Sequence, residues 1–101
     1  MGDRLKEKVA LVSGAGSSGP GWGNGKATAV LFAREGAQVL AADINLDAAL
    51  ETKRIIEAEG GICEAVSGDV SRTDGVTGIV DTCIATFGRV DVLHNNVGIT
   101  G

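Results

Sequence analysis

Short apolar runs alternate with longer amphipathic segments along the chain. The apolar runs predict strands over residues 9–13, 38–43, 62–66 and 90–94, of which the first two are expected to be buried on both faces. The segments between them carry apolar residues at helical spacing and predict helices over residues 26–35, 46–59 and 71–87. The order β-α-β-α-β-α-β predicts an α/β fold, a four-stranded parallel sheet with right-handed crossovers and helices on both faces.

The ends of the predicted helices carry residues that favour helix starts and stops. Gly36 and the Gly60–Gly61 pair follow the first two helices and Gly88 follows the third, as expected for helix ends. Asn45 is predicted to cap the second helix, and the S-R-T-D segment from Ser71 matches a capping box for the third. The third helix then carries one apolar stripe that we expect to face the core: Val76, Ile79, Val80, Cys83 and Phe87.

Composition and charge narrow the class of protein. With 101 residues, 44% hydrophobic and 22% charged, the chain is expected to form one globular domain over residues 1–101. A net charge of −4 without a basic run argues against nucleic acid and anionic membranes as partners, and no apolar stretch is long enough to span a bilayer. The N-terminal segment lacks a secretory signal, and Cys63 and Cys83 form no C-x-x-C pair. We therefore expect a cytoplasmic protein with free thiols.

Residues 13–26, SGAGSSGPGWGNGK, form an unusually long glycine-rich segment between the first strand and the first helix. The start of a helix offers unpaired N–H groups and a partial positive charge, and glycines let a diphosphate approach them closely. Residues 14–19 match G-x-G-x-x-G literally, but a helix starting directly after that match would contain Pro20 and three more glycines. Each of those glycines costs about 1 kcal/mol relative to alanine. We therefore predict that the helix begins near Asn24 or Gly25.

In this register the segment resembles the fingerprint T-G-x-x-x-G-x-G of the short-chain dehydrogenase/reductase family. Ser13-Gly14 and Gly23-Asn24-Gly25 occupy the matching positions, and serine in place of threonine keeps the hydroxyl group. Gly14 would then make the turn off the strand, while Gly23 and Gly25 lie closest to the phosphates. The resemblance implies that these five residues bind a dinucleotide.

Relative to this fingerprint, five additional residues separate Gly14 from Gly23, and Gly19-Pro20-Gly21-Trp22 falls within the excess. We expect the insertion to bulge toward the cofactor crevice. Trp22 then either covers part of the cofactor or lies partly buried on the solvent side of the loop.

Asp43 ends the second predicted strand and bears on the choice of cofactor. A carboxylate at this place can accept hydrogen bonds from the adenosine ribose hydroxyls and would repel a 2′-phosphate. Neither Ile44 nor Asn45 supplies a compensating positive charge, and the nearby cations Lys26 and Arg34 are carried by the first helix. These features favour NAD over NADP. The alternative is that Asp43 only begins a turn.

Two further segments follow the third and fourth predicted strands and match family motifs. The resemblance implies that Asp69 bonds toward the adenine amino group and that Val70 lines the adenine pocket, although Asp69 could instead only help to cap the third helix. Asn95-Asn96-Val97-Gly98 resembles the family motif N-N-A-G. There Gly98 lets the backbone approach the ribose and the asparagine amides tie strand ends together. Val97 in place of alanine narrows the space beside the cofactor.

The resemblance runs from about Leu5 to Gly101 and implies a Rossmann-type sheet, here half of a doubly wound domain. Family members are longer and transfer hydride between a nicotinamide cofactor and an alcohol or ketone, using a Tyr-x-x-x-Lys pair. This chain contains no tyrosine. We therefore expect it to be the NAD-binding portion of such an oxidoreductase, inactive alone, that meets a small-molecule substrate only in the complete protein.

Other functions are weighed against this interpretation. A non-catalytic nucleotide-binding or interaction module derived from the family stays open as an alternative. A methyltransferase that uses S-adenosylmethionine is disfavoured, because Ser13 stands where those enzymes usually have an acidic residue. No catalytic or metal-binding cluster is predicted, and the single histidine, His94, is expected to pack in the core. An unpaired edge on the fourth strand, or the third helix, leads us to expect a homo-oligomer.

Overall fold

Strands and helices alternate in the computed structural model, which describes residues 5–14, 24–69 and 72–95. The strands are β1 (Val9–Ser13), β2 (Gln38–Asp43), β3 (Ile62–Ser67) and β4 (Val92–Asn95). The helices are α1 (Asn24–Arg34), α2 (Leu46–Ala58) and α3 (Thr73–Phe87). Every element predicted from the hydrophobic pattern is present, with ends that differ by a few residues at most.

The four strands form one parallel sheet in the order β3-β2-β1-β4. The two central strands, β1 and β2, are buried almost throughout, which explains why they are apolar except for Ser13 at the end of β1 and Gln38 and Asp43 at the two ends of β2. Within the described residues β3 and β4 lie at the two edges. The direction of the chain across the sheet reverses after β3, since β4 returns to pair with the far side of β1.

The helices cover both faces of the sheet, and each face has its own apolar cluster. α1 and α2 pack on one face, where Val12, Val39 and Ile56 are among the buried side chains. α3 packs on the other face, against Leu11 and Leu40. The predicted α/β architecture with helices on both faces is therefore confirmed.

Two of the predicted helix ends are confirmed in detail. The side chain of Asn45 accepts a hydrogen bond from the Asp47 N–H at 3.0 Å and so caps α2. Gly88 ends α3 in the left-handed conformation, with φ of 87°, and its N–H donates to the Ile84 carbonyl at 2.7 Å.

The capping box predicted at Ser71 is wrong as the start of α3. The helix begins at Thr73, with Arg72 in the cap position and no side-chain cap bond. The Arg72 N–H donates to the Asp69 carbonyl at 3.2 Å, so the chain is still turning there and the helix starts later. Asp74, which should have completed the box, instead accepts from the Gly75 N–H at 3.0 Å within the first turn. Ser71 itself lies outside the described residues.

The predicted start of β4 and one member of the α3 stripe also need correction. β4 begins two residues later than predicted, because the Asp91 side chain replaces a backbone partner there and accepts from the Val9 N–H at 2.9 Å. Ile79 and Cys83 are buried and Val80 and Phe87 pack beside them, as expected, but Val76 is exposed. Val76 lies in the first turn of the helix and is 36% exposed.

A candidate nucleotide-binding site at the carboxyl rim of the sheet

The parallel register brings the carboxyl ends of all four strands to one rim. Ser13 of β1 aligns with Ala42 of β2 and with Asn95 of β4, while Asp43 of β2 aligns with Ser67 of β3. The chain runs from β1 toward β3 on one side and returns to β4 on the other, so the strand order reverses between β1 and β4. In open α/β sheets, ligands bind in the crevice outside the strand ends at such a reversal.

The junction between β1 and α1 has the features of a phosphate site. Gly14 leaves the strand with φ of 65°, a conformation that favours glycine, as predicted for the turn. α1 begins at Asn24, and Gly25 is buried in its first turn, which confirms the predicted helix start. Three residues join the other end of α1 to β2 at the opposite rim, so the first turn of α1, with its unpaired N–H groups, lies on the carboxyl side.

Asp43 lies half-buried at the end of β2 and begins a turn. Its Oδ1 accepts a hydrogen bond from the Asn45 N–H at 2.8 Å, and its carbonyl oxygen accepts from the Gly68 N–H at 3.1 Å. The turn role that the sequence left open is therefore present, and it fixes the carboxylate beside the start of α2. Ribose binding by this carboxylate stays a prediction.

Two glycines allow close packing around Asp69: Gly75 of α3 lies against the Asp69 backbone, and Gly68, directly after β3, lies against Ile79 of α3. A β-carbon on Gly75, in the first turn of α3, would overlap the Asp69 carbonyl oxygen and lie 2.9 Å from its carbonyl carbon. A β-carbon on Gly68 would lie 2.6 Å from Cδ1 of Ile79. Sequence reasoning missed Gly75; the signal was a glycine inside the first turn of a helix, where it costs helix propensity without an evident reason.

Both cations that the sequence placed on α1 form ion pairs with α2. Lys26 is only 3% exposed, and its Nζ lies 2.5 Å from Oε1 of Glu51. The hydrogen bond and charge of this ammonium hold the pKa of the Glu51 carboxyl below its usual value. At the far end of the same helices, Arg34 binds Glu59 through two hydrogen bonds of 2.9 and 2.7 Å. The sequence did not single out Glu51 or Glu59, because each lies twenty-five positions from the cation that it pairs with.

Three further side chains that could carry chemistry are those of His94, Cys63 and Cys83. His94 is half-buried, and its ring meets Phe32 edge-on with centroids 6.2 Å apart. Cys63 and Cys83 are free and buried, and burial raises the pKa of the Cys63 thiol to about 12. Among the described residues, no cluster of histidine, cysteine and carboxylate side chains is arranged to hold a metal ion, and no helix is long and apolar enough to cross a membrane.

Several of the predicted binding residues lie outside the part of the chain that the structure describes. Those outside the described residues are Gly23, Val70, Asn96, Val97 and Gly98, together with the insertion that contains Trp22. The described rim thus brings together Ser13, Gly14, Gly25, Asp43 and Asp69.

Comparison with known proteins identifies the family. The family model described as short chain dehydrogenase matches residues 8–101. The chain belongs to the short chain dehydrogenase family. This confirms the resemblance inferred from the glycine fingerprint and the strand-end motifs.

Individual family members are similar over nearly the whole chain. Cyclohexanol dehydrogenase of Acinetobacter sp. strain SE19 is 38% identical over 101 residues. A short-chain dehydrogenase/reductase structure from Burkholderia xenovorans is 47% identical with a TM-score of 0.91, covering 98% of this chain and 39% of that one. A structure of 7α-hydroxysteroid dehydrogenase complexed with NADH and 7-oxo glycochenodeoxycholic acid is 38% identical with a TM-score of 0.89, covering 97% and 36%.

The matches cover nearly all of this chain but only part of each relative. The chain spans less than two-fifths of the length of these relatives, for example 38% of cyclohexanol dehydrogenase. The shared part is the Rossmann-like sheet with its helices, so the comparisons confirm the fold as well as the family.

Proposed function

We propose that residues 1–101 form a partial dinucleotide-binding domain, the NAD-binding portion of an oxidoreductase of the short chain dehydrogenase family. The start of α1 at Asn24, on the rim where β1 ends, is the observation that carries this proposal. The complete protein would transfer hydride between a nicotinamide cofactor and an alcohol or ketone. The cofactor supplies the hydride donor and acceptor chemistry, whereas the described residues bind and orient it.

Each end of the adenosine diphosphate group has its own set of residues in this proposal. The N–H groups of the first turn of α1 bind the diphosphate, helped by Ser13, Gly14, Gly23, Asn24 and Gly25. Asp43 accepts hydrogen bonds from the adenosine ribose, and Asp69 and Val70 contact the adenine. Asn96, Val97 and Gly98 contact the cofactor beyond the diphosphate.

We propose NAD rather than NADP as this cofactor. Asp43 would repel a 2′-phosphate, and the cations of α1 do not offset that charge, because Lys26 and Arg34 are paired with Glu51 and Glu59. A solved relative, 7α-hydroxysteroid dehydrogenase, is complexed with NADH, which supports the same choice.

Calorimetric titration of NAD and NADP tests the role of Asp43. The informative variant is Asp43→Asn, because its amide oxygen still accepts from the Asn45 N–H and so keeps the turn while removing the charge. The parent should prefer NAD about tenfold, a difference of about 1.4 kcal/mol, and Asp43→Asn should lose the preference. Asp81→Asn, on the exposed face of α3, is the matched control and should keep it.

Two outcomes would contradict the proposal at different levels. Equal affinity of the parent for NAD and NADP would remove the role of Asp43 but leave nucleotide binding intact. A folded parent that binds neither cofactor at millimolar concentration would refute the binding function itself.

The oligomeric state and the location in the cell are further proposals. We propose that the chain forms a homo-oligomer across β4, which lies at one edge of the sheet within the described residues and carries Leu93, 59% exposed. Sedimentation of a folded monomer at micromolar concentration would contradict this. The two free, buried thiols support a location in the reducing cytoplasm.

A further inference from the structure

The ion pair between Lys26 and Glu51 joins two helices at the rim that holds the candidate site. Lys26 stands in the first turn of α1, and Glu51 lies in the second turn of α2. The lysine is 3% exposed and the glutamate side chain 56% exposed, so the ammonium is withdrawn from water while its partner reaches in from the surface. A buried ammonium is stable only when it is paired, which makes this contact a fixed link.

The link connects the two ends of the proposed nucleotide site. α1 presents its first N–H groups to the diphosphate. α2 starts at Leu46, three positions after Asp43, whose side chain accepts a hydrogen bond from the cap residue Asn45. No covalent connection shorter than the whole of α1 and β2 joins these two ends. The distance between them therefore depends on the pairing of β1 with β2 in the sheet and, above the sheet, on how α1 and α2 pack together at the rim.

A second ion pair joins the same helices away from the site. Arg34 and Glu59 lie at the last residue of α1 and the C-cap of α2, the same number of positions beyond Lys26 and Glu51 respectively. The two pairs have the same charge chemistry and join the same elements. They differ in their distance from the carboxyl rim and in the burial of the cation.

We propose that Lys26 and Glu51 are positioning residues that fix the distance between the diphosphate-binding turn of α1 and the ribose-binding Asp43. This inference rests on the proposed function. The diphosphate and ribose of an adenosine nucleotide are covalently joined, so a ligand that contacts both ends requires a set spacing. A ligand that contacts one end alone does not.

Titrations with three probes of different reach test the positioning role on the 101-residue chain. ADP contacts both ends, inorganic pyrophosphate contacts only the α1 end, and adenosine contacts only the Asp43 end. In Glu51→Ala we expect ADP to bind about fivefold to tenfold more weakly, and pyrophosphate and adenosine each to stay within about twofold of the parent. Chemical-shift titration by NMR measures such weak affinities and shows at the same time that each variant is folded.

Three further variants separate positioning from stability and charge. Glu51→Gln should restore part of the ADP affinity, because its amide oxygen still accepts from Lys26. The double variant Lys26→Met with Glu51→Ala removes the pair without leaving a buried charge and should show the same selective loss of ADP binding. Glu59→Ala, the matched control at the far end, should leave all three affinities unchanged.

The possible failures are distinguishable. Unchanged ADP binding in Glu51→Ala, or an equal loss for all three probes, refutes the positioning role. Tighter binding of both ADP and pyrophosphate also refutes it, since Lys26 would then act as a cation released toward the phosphates. A folded parent that binds neither NAD nor ADP refutes the proposed function, and the positioning role with it.

Discussion

The contact between Gly75 and Asp69 makes a sharp prediction about stability, because a second glycine in the same helix serves as its control. Gly75 lies in the first turn of α3 against the backbone of Asp69. A β-carbon there would overlap the carbonyl oxygen and lie 2.9 Å from the carbonyl carbon and 3.2 Å from the amide nitrogen. Gly78 lies one turn further along, and a β-carbon there would meet nothing within 4 Å.

The two alanine substitutions should therefore change the free energy of unfolding in opposite directions. Alanine in place of a helical glycine gains about 1 kcal/mol of helix propensity, which is the whole effect expected for Gly78→Ala. In Gly75→Ala the same gain is opposed by an overlap with backbone atoms, which cannot rotate away. Displacing packed atoms typically costs about 1–3 kcal/mol, and an overlap this close belongs at or above the upper end. We expect Gly75→Ala to lower the free energy of unfolding by about 2 kcal/mol net.

Urea unfolding followed by circular dichroism measures both values by linear extrapolation. Gly75→Ala should also shift the backbone NMR signals of Asp69, whereas Gly78→Ala should leave them in place. If Gly75→Ala is as stable as the parent or more stable, α3 does not press on Asp69, and the account of how this residue is held at the rim is wrong.

Three further expectations concern the core, an acid-sensitive contact and a thiol. Leu40→Ala should lower the free energy of unfolding by about 3 kcal/mol because Leu40 is fully buried, whereas Leu31→Ala, at a position 54% exposed, should change it by less than about 0.5 kcal/mol in urea unfolding. The hydrogen bond from the Val9 N–H, followed by that from Arg89, lowers the pKa of Asp91. The ionised Asp91 carboxylate therefore stabilises the fold fully above the ordinary aspartate pKa of about 3.9. This stabilisation is lost as the pH falls toward the lower pKa that Asp91 has in the folded chain. Unfolding measured from pH 6 to pH 2.5 should show a shallower acid loss in Asp91→Asn, and an unchanged slope would contradict this. Iodoacetamide at pH 8 should modify Cys63 far more slowly in the native chain than in urea, because burial raises its pKa to about 12; equal rates would show that the thiol is accessible.

Much of the architecture is encoded locally and could be predicted from the sequence. The bounds of β2 match the prediction because both faces of the strand are covered and its four central positions are buried. The start of α1 was predictable because proline and glycine are poor inside a helix, which pushed the start to Asn24. Asn45 caps α2 through a bond to a residue two positions away, and such a bond depends on local sequence alone.

Most of the features that escaped prediction depend on contacts between distant parts of the chain. The delayed start of β4 follows from the bond between Asp91 and Val9, which are 82 positions apart. The delayed start of α3 is a local effect by contrast, since the Arg72 N–H bonds to the Asp69 carbonyl three positions earlier. The pairing of Lys26 with Glu51 requires knowing how two helices pack, which periodicity does not give. In the candidate site, the predicted binding residues were visible from the sequence, while the pairing of Lys26 with Glu51 and the contact of Gly75 with Asp69 were not.

The position of β1 between β2 and β4 has a consequence for the order of events during synthesis. Val9 and Asp91 are separated by 82 positions, yet they bond to each other where β1 begins. At a translation rate of about 5–20 residues per second, the nascent first strand waits roughly 4 to 16 seconds for its second neighbour. During that interval one edge of β1 has unpaired backbone N–H and C=O groups to which other extended chains can bond. The risk of aggregation with neighbouring nascent polypeptides is therefore highest before β4 is synthesised.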